Sequence, residues 1–139
     1  MGMVLSQNNF SPGRDGILMP VVYVQPNRGI ERQAISINHE LSIALSVIAP
    51  KRRAMRMNQV LRSIVQELPE DAIICEFDAL FHPEYQIDVL QMLIAVCRTK
   101  PFSLIWPGTY EGGKLIYAEE GRPDYKVFEI VNYDITCVR

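Results

Sequence analysis

Two carboxylates, Glu76 and Asp78, close the apolar run Ala72-Ile73-Ile74-Cys75-Glu76-Phe77-Asp78. Acidic side chains at the end of a buried strand suit nucleotide chemistry. One can orient a water on a phosphate-bound Mg²⁺ ion while the other polarises an attacking water. That chemistry also needs a phosphate cradle, in which glycine-rich backbone amides and a lysine face the anion. No G-x-x-x-x-G-K-[ST] occurs anywhere in the chain. The nearest substitute is Arg28-Gly29, in the short stretch Gln25–Gln33 between two candidate strands. The plainer reading of Glu76 and Asp78 is that they cap the next helix or sit solvated at the edge of the sheet.

Other groups define other chemistries. Lys51, Arg52, Arg53 and Arg56, with Arg62 beyond, form the one basic cluster. Such a cluster can contact DNA phosphates, because displaced counterions favour binding. It also reads as a solvated turn balanced by Glu67, Glu70 and Asp71, and no aromatic residue interleaves with it as a single-strand binder would require. His39 and His82 have no partners at metal-ligand spacing, so no metal is expected. Cys75, Cys97 and Cys137 form neither a disulfide framework nor a C-x-x-C knuckle, and read as buried thiols. No G-x-S-x-G elbow marks a nucleophilic serine. Trp106 ends a second apolar run, Phe102–Trp106, where it reads as packing or as a partner contact.

The elements that must position these residues follow from length and periodicity. At 139 residues with 48% hydrophobic content, the chain is expected to fold as one domain over 18–139, after a flexible leader over 1–17 rich in turn formers. A net charge of −2 gives no global attraction to nucleic acid or membrane. No apolar run reaches membrane-spanning length and no secretory signal is visible, which predicts a cytoplasmic protein. Strands are expected from about Val21 and over Ala34–Ile37, with Gln25–Gly29 a turn. A helix capped by Asn38 should run to Pro50, and a second from Arg53 or Met57 to Pro69. Ala72–Phe77 reads as a central parallel strand. A well-buried helix is expected over Glu84–Arg98 with Pro83 in its first turn, then a strand over Phe102–Trp106. Lys114–Ala118 and Lys126–Val131 read as a terminal hairpin. Alternating strands and helices predict an α/β fold with a mostly parallel sheet flanked by helices and a C-terminal β-hairpin.

Three segments resemble one family. Ala34-Ile35-Ser36-Ile37-Asn38-His39-Glu40-Leu41-Ser42 is similar to its I-N-x-N-x-E-L-S strand-to-helix junction, and Ile73–Phe81 to its acidic strand end. Trp106-Pro107-Gly108 followed by Gly113–Tyr125 is similar to its W-x-G … G-x-L-x-Y-A-x-x-G-H-P-E-Y tail. The family is the small P-loop protein of type 3 BREX anti-phage defence operons. The resemblance implies a P-loop NTPase or AAA-like fold, here degenerate. In the family a P-loop and its helix precede the Asn38-type junction, and Gln25–Gln33 is too short for a loop plus three helical turns. Arg122 and Asp124 stand where the family has histidine and glutamate.

The function this implies is a non-catalytic accessory subunit of a BREX-type defence system. It would act by assembly with other subunits of the complex or as a homo-oligomer, through Trp106, Arg122 and Tyr125. Two alternatives stay open. One is an ATP- and Mg²⁺-binding protein with an unconventional or shared phosphate site at Arg28 and Gly29, served by Glu76 and Asp78. The other is a DNA-contacting module using Lys51, Arg52, Arg53 and Arg56. No resident cofactor is expected under the first reading.

Overall fold

A computed structural model describes residues 1–7, 10 and 17–139. In chain order its elements are β1 (Met3–Leu5), β2 (Val21–Tyr23), α1 (Arg28–Gln33), β3 (Ala34–Ser36), α2 (Asn38–Ser46), α3 (Pro50–Gln66) and β4 (Ile73–Cys75). They continue with α4 (Val89–Cys97), β5 (Ser103–Ile105), β6 (Thr109–Glu111), β7 (Lys114–Tyr117), β8 (Lys126–Glu129) and β9 (Thr136–Val138). Among the described residues, six strands form an all-parallel sheet in the order β1-β9-β2-β5-β4-β3, and β6-β7-β8 form a small antiparallel sheet. The expected α/β architecture with a parallel sheet is present.

Strand order and crossover handedness dictate the layers. From β3 the chain steps to β4, then β5, then past β2 to β9, always in one direction. Right-handed crossovers therefore put α2, α3, α4 and the small sheet on one face. The step from β2 to β3 runs the other way and puts α1 on the opposite face. The side chains agree, because successive strand residues alternate between faces. Val22, Ile74, Leu104 and Cys137 join the main core with Leu41, Leu61, Leu93 and Phe128. Their neighbours Val21, Tyr23, Ile73 and Val138 form a second core with Ile30, Ala34 and Phe10.

Several expectations are corrected. Met3–Leu5, placed in the leader, is an edge strand, because its backbone pairs with β9 (Met3 N–H to Ile135 O 3.1 Å, Arg139 N–H to Leu5 O 3.0 Å). Residues 8, 9 and 11–16 of that expected leader lie outside the described residues. Arg28-Gly29 is not part of a turn. It opens α1, whose start is fixed by Asn27 Oδ1 accepting from the Ile30 amide at 2.9 Å. Asn38 is the first residue of α2 and not its cap. The free Asn38 amide instead donates to Ser36 Oγ at 3.4 Å. Pro50 does not merely end one helix but starts the next, since a residue without an amide loses nothing in a first turn. The helix expected over Glu84–Arg98 is shortened. Pro83–Tyr85 is a 3₁₀ turn, Gln86 is left-handed at φ 50°, and α4 starts at Val89 under an Asp88 cap. The terminal hairpin is a three-stranded sheet, with β6 added.

Candidate functional site

The carboxyl ends of parallel strands are where an α/β fold places its ligands. Here that edge gathers Ser36 at the end of β3, Glu76 and Asp78 after β4, and Trp106 after β5. β5 lies between β2 and β4, so the segment holding Arg28 and Gly29 leaves the sheet two strands, about 10 Å, from the acidic pair.

The two carboxylates are exposed and already engaged by the chain. Glu76 turns the chain out of β4 at φ 56°, a conformation few non-glycine residues adopt. Its Oε2 accepts from Ser36 Oγ–H at 3.1 Å. Ser36 thereby ties β4 to β3 with its hydrogen while its oxygen serves the start of α2. Asp78 Oδ2 accepts from the Tyr117 hydroxyl at 3.0 Å, which joins the parallel sheet's edge to β7 of the small sheet. Burial, with the hydrogen bond to Asp78 and its negative charge as further causes, raises the Tyr117 phenol well above its ordinary value. The Tyr117 ring stacks on Phe81 with centroids 3.8 Å apart. Tyr117 was not a candidate from the sequence. The signal was present in the strand pattern, because β7 alternates and Leu115 and Tyr117 share its inner face.

Beside this pair lies a cavity of about 260 Å³ bordered by Asp78, His82, Tyr85, Tyr117 and Asp124. Arg122 Nε sits 3.6 Å from Asp124 Oδ1, an ion pair beyond hydrogen-bond reach. Asp124 Oδ1 is shielded from solvent and has no hydrogen-bond donor among the described residues. His82 points its Nδ1 at the Glu84 amide, 3.2 Å away, and packs on Tyr85. Among the described residues no group of three or more His, Cys, Asp or Glu side chains converges on a point that a metal could occupy.

Trp106 does not lie on a contact surface. It is 3% exposed, meets Phe81 and Phe128 edge-on at 5.7 and 5.6 Å, and donates from Nε1 to Ile116 O at 3.0 Å. It is the bolt between the two sheets, so its placement among interaction residues is corrected. Gly108 shows how tight that joint is, since a Cβ there would stand 1.9 Å from Ile116 O and 2.9 Å from the Trp106 Nε1. Arg122 is exposed. Tyr125 is half-buried and borders a cavity of about 350 Å³ with Glu111, Lys114, Ile116 and Val127.

Arg28 and Gly29 are exposed in the first turn of a six-residue helix. A Cβ on Gly29 would touch only Asn27 Oδ1 at 3.3 Å, so the position is not one where backbone must approach a ligand closely. The neighbouring cavity, about 200 Å³, has the side chains of Phe10, Tyr23, Ile30 and Val138 in its wall.

The basic cluster is divided by its helix. Because α3 starts at Pro50, Arg52 and Arg56 stand one turn apart on one flank, whereas Lys51 projects about 100° away from Arg52. Arg53 is committed to structure. Its Nε donates to Leu45 O and Ile48 O at 3.0 and 3.1 Å, satisfying carbonyls left free at the end of α2. Its Nε is therefore unavailable to a phosphate, and only its terminal nitrogens could make a nucleic-acid contact.

The thiols of Cys97 and Cys137 are buried and that of Cys75 is half-buried, all three free. Among the described residues no helix is long and apolar enough to cross a membrane. Comparison with protein-family models, curated proteins and solved structures returns no match to this chain.

Proposed function

We propose that this protein is a non-catalytic assembly subunit of a bacterial anti-phage defence system of the BREX type, built on a degenerate P-loop-like domain. The observation that carries the non-catalytic part is the segment after β2, which forms no glycine-rich phosphate loop, and Glu76 and Asp78 fit a structural role beside it. Each carboxylate accepts a hydrogen bond from a hydroxyl of the chain's own neighbouring element, Ser36 or Tyr117. They work as latches between elements, and the segment after β2 is wound into an Asn27-capped helix instead of a glycine-rich loop. The defence setting comes from the resemblance of the 34–42, 73–81 and 106–125 segments to the BREX family.

The contact with larger subunits is placed on the outer face of the small sheet, where Arg122, Tyr125, Ile116 and the 42%-exposed Val127 lie free of the core. Two measurements test this reading. Titration with a fluorescent ATP analogue, with and without Mg²⁺, should show no saturable binding up to millimolar nucleotide. Saturable Mg²⁺-dependent binding that is lost in Glu76→Gln and Asp78→Asn would overturn the non-catalytic reading. In a host carrying the intact operon, deleting this gene should abolish phage protection, and Glu76→Gln should keep it. Unchanged plating efficiency after deletion would sink the defence assignment.

A further inference from the structure

Helices α2 and α3 leave an open groove beside the edge strand β3. It encloses about 600 Å³ between Ile35, the α3 side chains Val60 and Ile64, and Leu68 just beyond α3, with Glu40 and Arg56 at its rim. Glu40 and Ile43 on α2 and Val47, which continues its helical backbone by one residue, recur at i, i+3 and i+7, so they form one ridge. Ile43 is 54% and Val47 83% exposed. An open apolar ridge next to an open apolar groove supplies both halves of a helix-in-groove contact.

We propose that the occupant of this groove is a second copy of this chain, in a two-fold dimer in which each α2 lies in the groove of the other copy. The order of the charges selects it. Within one chain α2 and α3 pack together across the short connection Val47-Ile48-Ala49, as antiparallel neighbours do. A two-fold axis perpendicular to the helices reverses direction, so the incoming α2 runs parallel to α3. Its ridge then reads acidic, apolar, apolar through Glu40, Ile43 and Val47. The groove reads basic, apolar, apolar through Arg56, Val60 and Ile64. The two rows span about 10.5 and 12 Å at 1.5 Å per residue, so they stay in register. Symmetry makes the Glu40–Arg56 pairing twice, and the interface closes on itself without leaving a free patch. Among the described residues neither Glu40 nor Arg56 is in an ion pair within its own chain. The inference is independent of the defence setting and of nucleotide binding.

Sedimentation equilibrium tests it. The 15.9 kDa chain should associate to twice that mass with rising concentration. Arg56→Glu and Glu40→Arg, both at exposed positions, should each weaken dimerisation at least about thirtyfold while leaving the far-UV circular dichroism unchanged. Mixed one to one, the two variants should re-associate, because each supplies the charge the other lacks at both contacts. Misfolding cannot mimic that rescue. Val47→Asp should abolish the dimer in every mixture. A wild type that stays monomeric to its solubility limit would overturn the proposal and leave the groove to a different protein. So would a mixture that fails to recover, or a dimer indifferent to both charge reversals.

Discussion

Replacing Trp106 with alanine should bring the protein to the brink of unfolding. The indole is clamped between Phe81 and Phe128 at the joint of the two sheets, and its Nε1–H satisfies the Ile116 carbonyl. Truncating a buried tryptophan costs about 3–5 kcal/mol in transfer and cavity terms. Leaving the Ile116 carbonyl without its donor adds about 1 kcal/mol. The sum, about 4–6 kcal/mol, rivals the whole stability of a small domain. With a urea slope of about 1–3 kcal/mol/M, the unfolding midpoint should fall by about 1.3–6 M or the native baseline should vanish. Far-UV circular dichroism is the right probe, because Trp106 is the sole tryptophan and the substitution removes the fluorescence signal. Trp106→Phe separates the contributions. It keeps an aromatic ring in the clamp and loses the hydrogen bond, so the expected loss is about 1–3 kcal/mol. Gly108→Ala strikes the same joint from the backbone side, where the new Cβ collides with the Ile116 carbonyl. A Trp106→Ala variant whose midpoint stays within about 0.5 M of wild type would refute the reasoning. The two sheets would then be held by other contacts, and Trp106 would again be a candidate for partner recognition.

Alkaline pH should destabilise the fold. Burial and the bonds to Asp78 and Asp88 raise the Tyr117 and Tyr133 phenols above their ordinary value of 10.0, and burial pushes the Cys137 thiol from 9.0 up to about 12. Each group holds its proton more tightly when folded, so its contribution is complete below the unfolded pKa and is lost as pH rises toward the folded one. Urea midpoints should therefore be level from neutrality to about pH 9 and fall above it, and Tyr117→Phe should flatten the part of the fall that starts near pH 10. Arg53→Ala should cost about 1–2 kcal/mol by freeing the Leu45 and Ile48 carbonyls, against about 0.5 kcal/mol or less for its exposed neighbour Arg52→Ala; urea unfolding of the pair measures the difference.

The contrast between Arg52 and Arg53 shows where legibility ended. Period and polarity located the basic cluster and the core stripe of α3, in which Met57, Leu61 and Val65 are buried. They could not say which arginine turns back onto the preceding helix, because that depends on where α2 leaves its carbonyls. The strands Val21–Tyr23, Ile73–Cys75 and Ser103–Ile105 were visible because strands covered on both faces read as unbroken apolar runs. β9 was not, although Thr136, Cys137 and Val138 are fully buried beside β2. It is short, it follows the polar Asn132-Tyr133-Asp134, and its partners lie more than a hundred residues away, so no local pattern announces it. β1 escaped for the same reason, since its pairing is supplied by β9.

The acidic strand end illustrates the other limit. Spacing showed two carboxylates where a metal-assisted reaction would want them, and that much is sequence-local. What they touch is decided by elements that converge from distant parts of the chain, with Ser36 arriving on β3 and Tyr117 on β7. A carboxylate that accepts a structural hydroxyl on one oxygen keeps lone pairs for an ion or a water, but the hydroxyl fixes where the group points. The same Tyr117 that occupies Asp78 also stacks on Phe81 and helps seat the small sheet beside Trp106. Turning Asp78 away from Tyr117 would therefore loosen the joint that carries the small sheet and, with it, the face bearing Arg122 and Tyr125. In this chain the Tyr117 bond makes Asp78 part of that joint, so the acidic strand end holds the face in place whatever its remaining lone pairs meet.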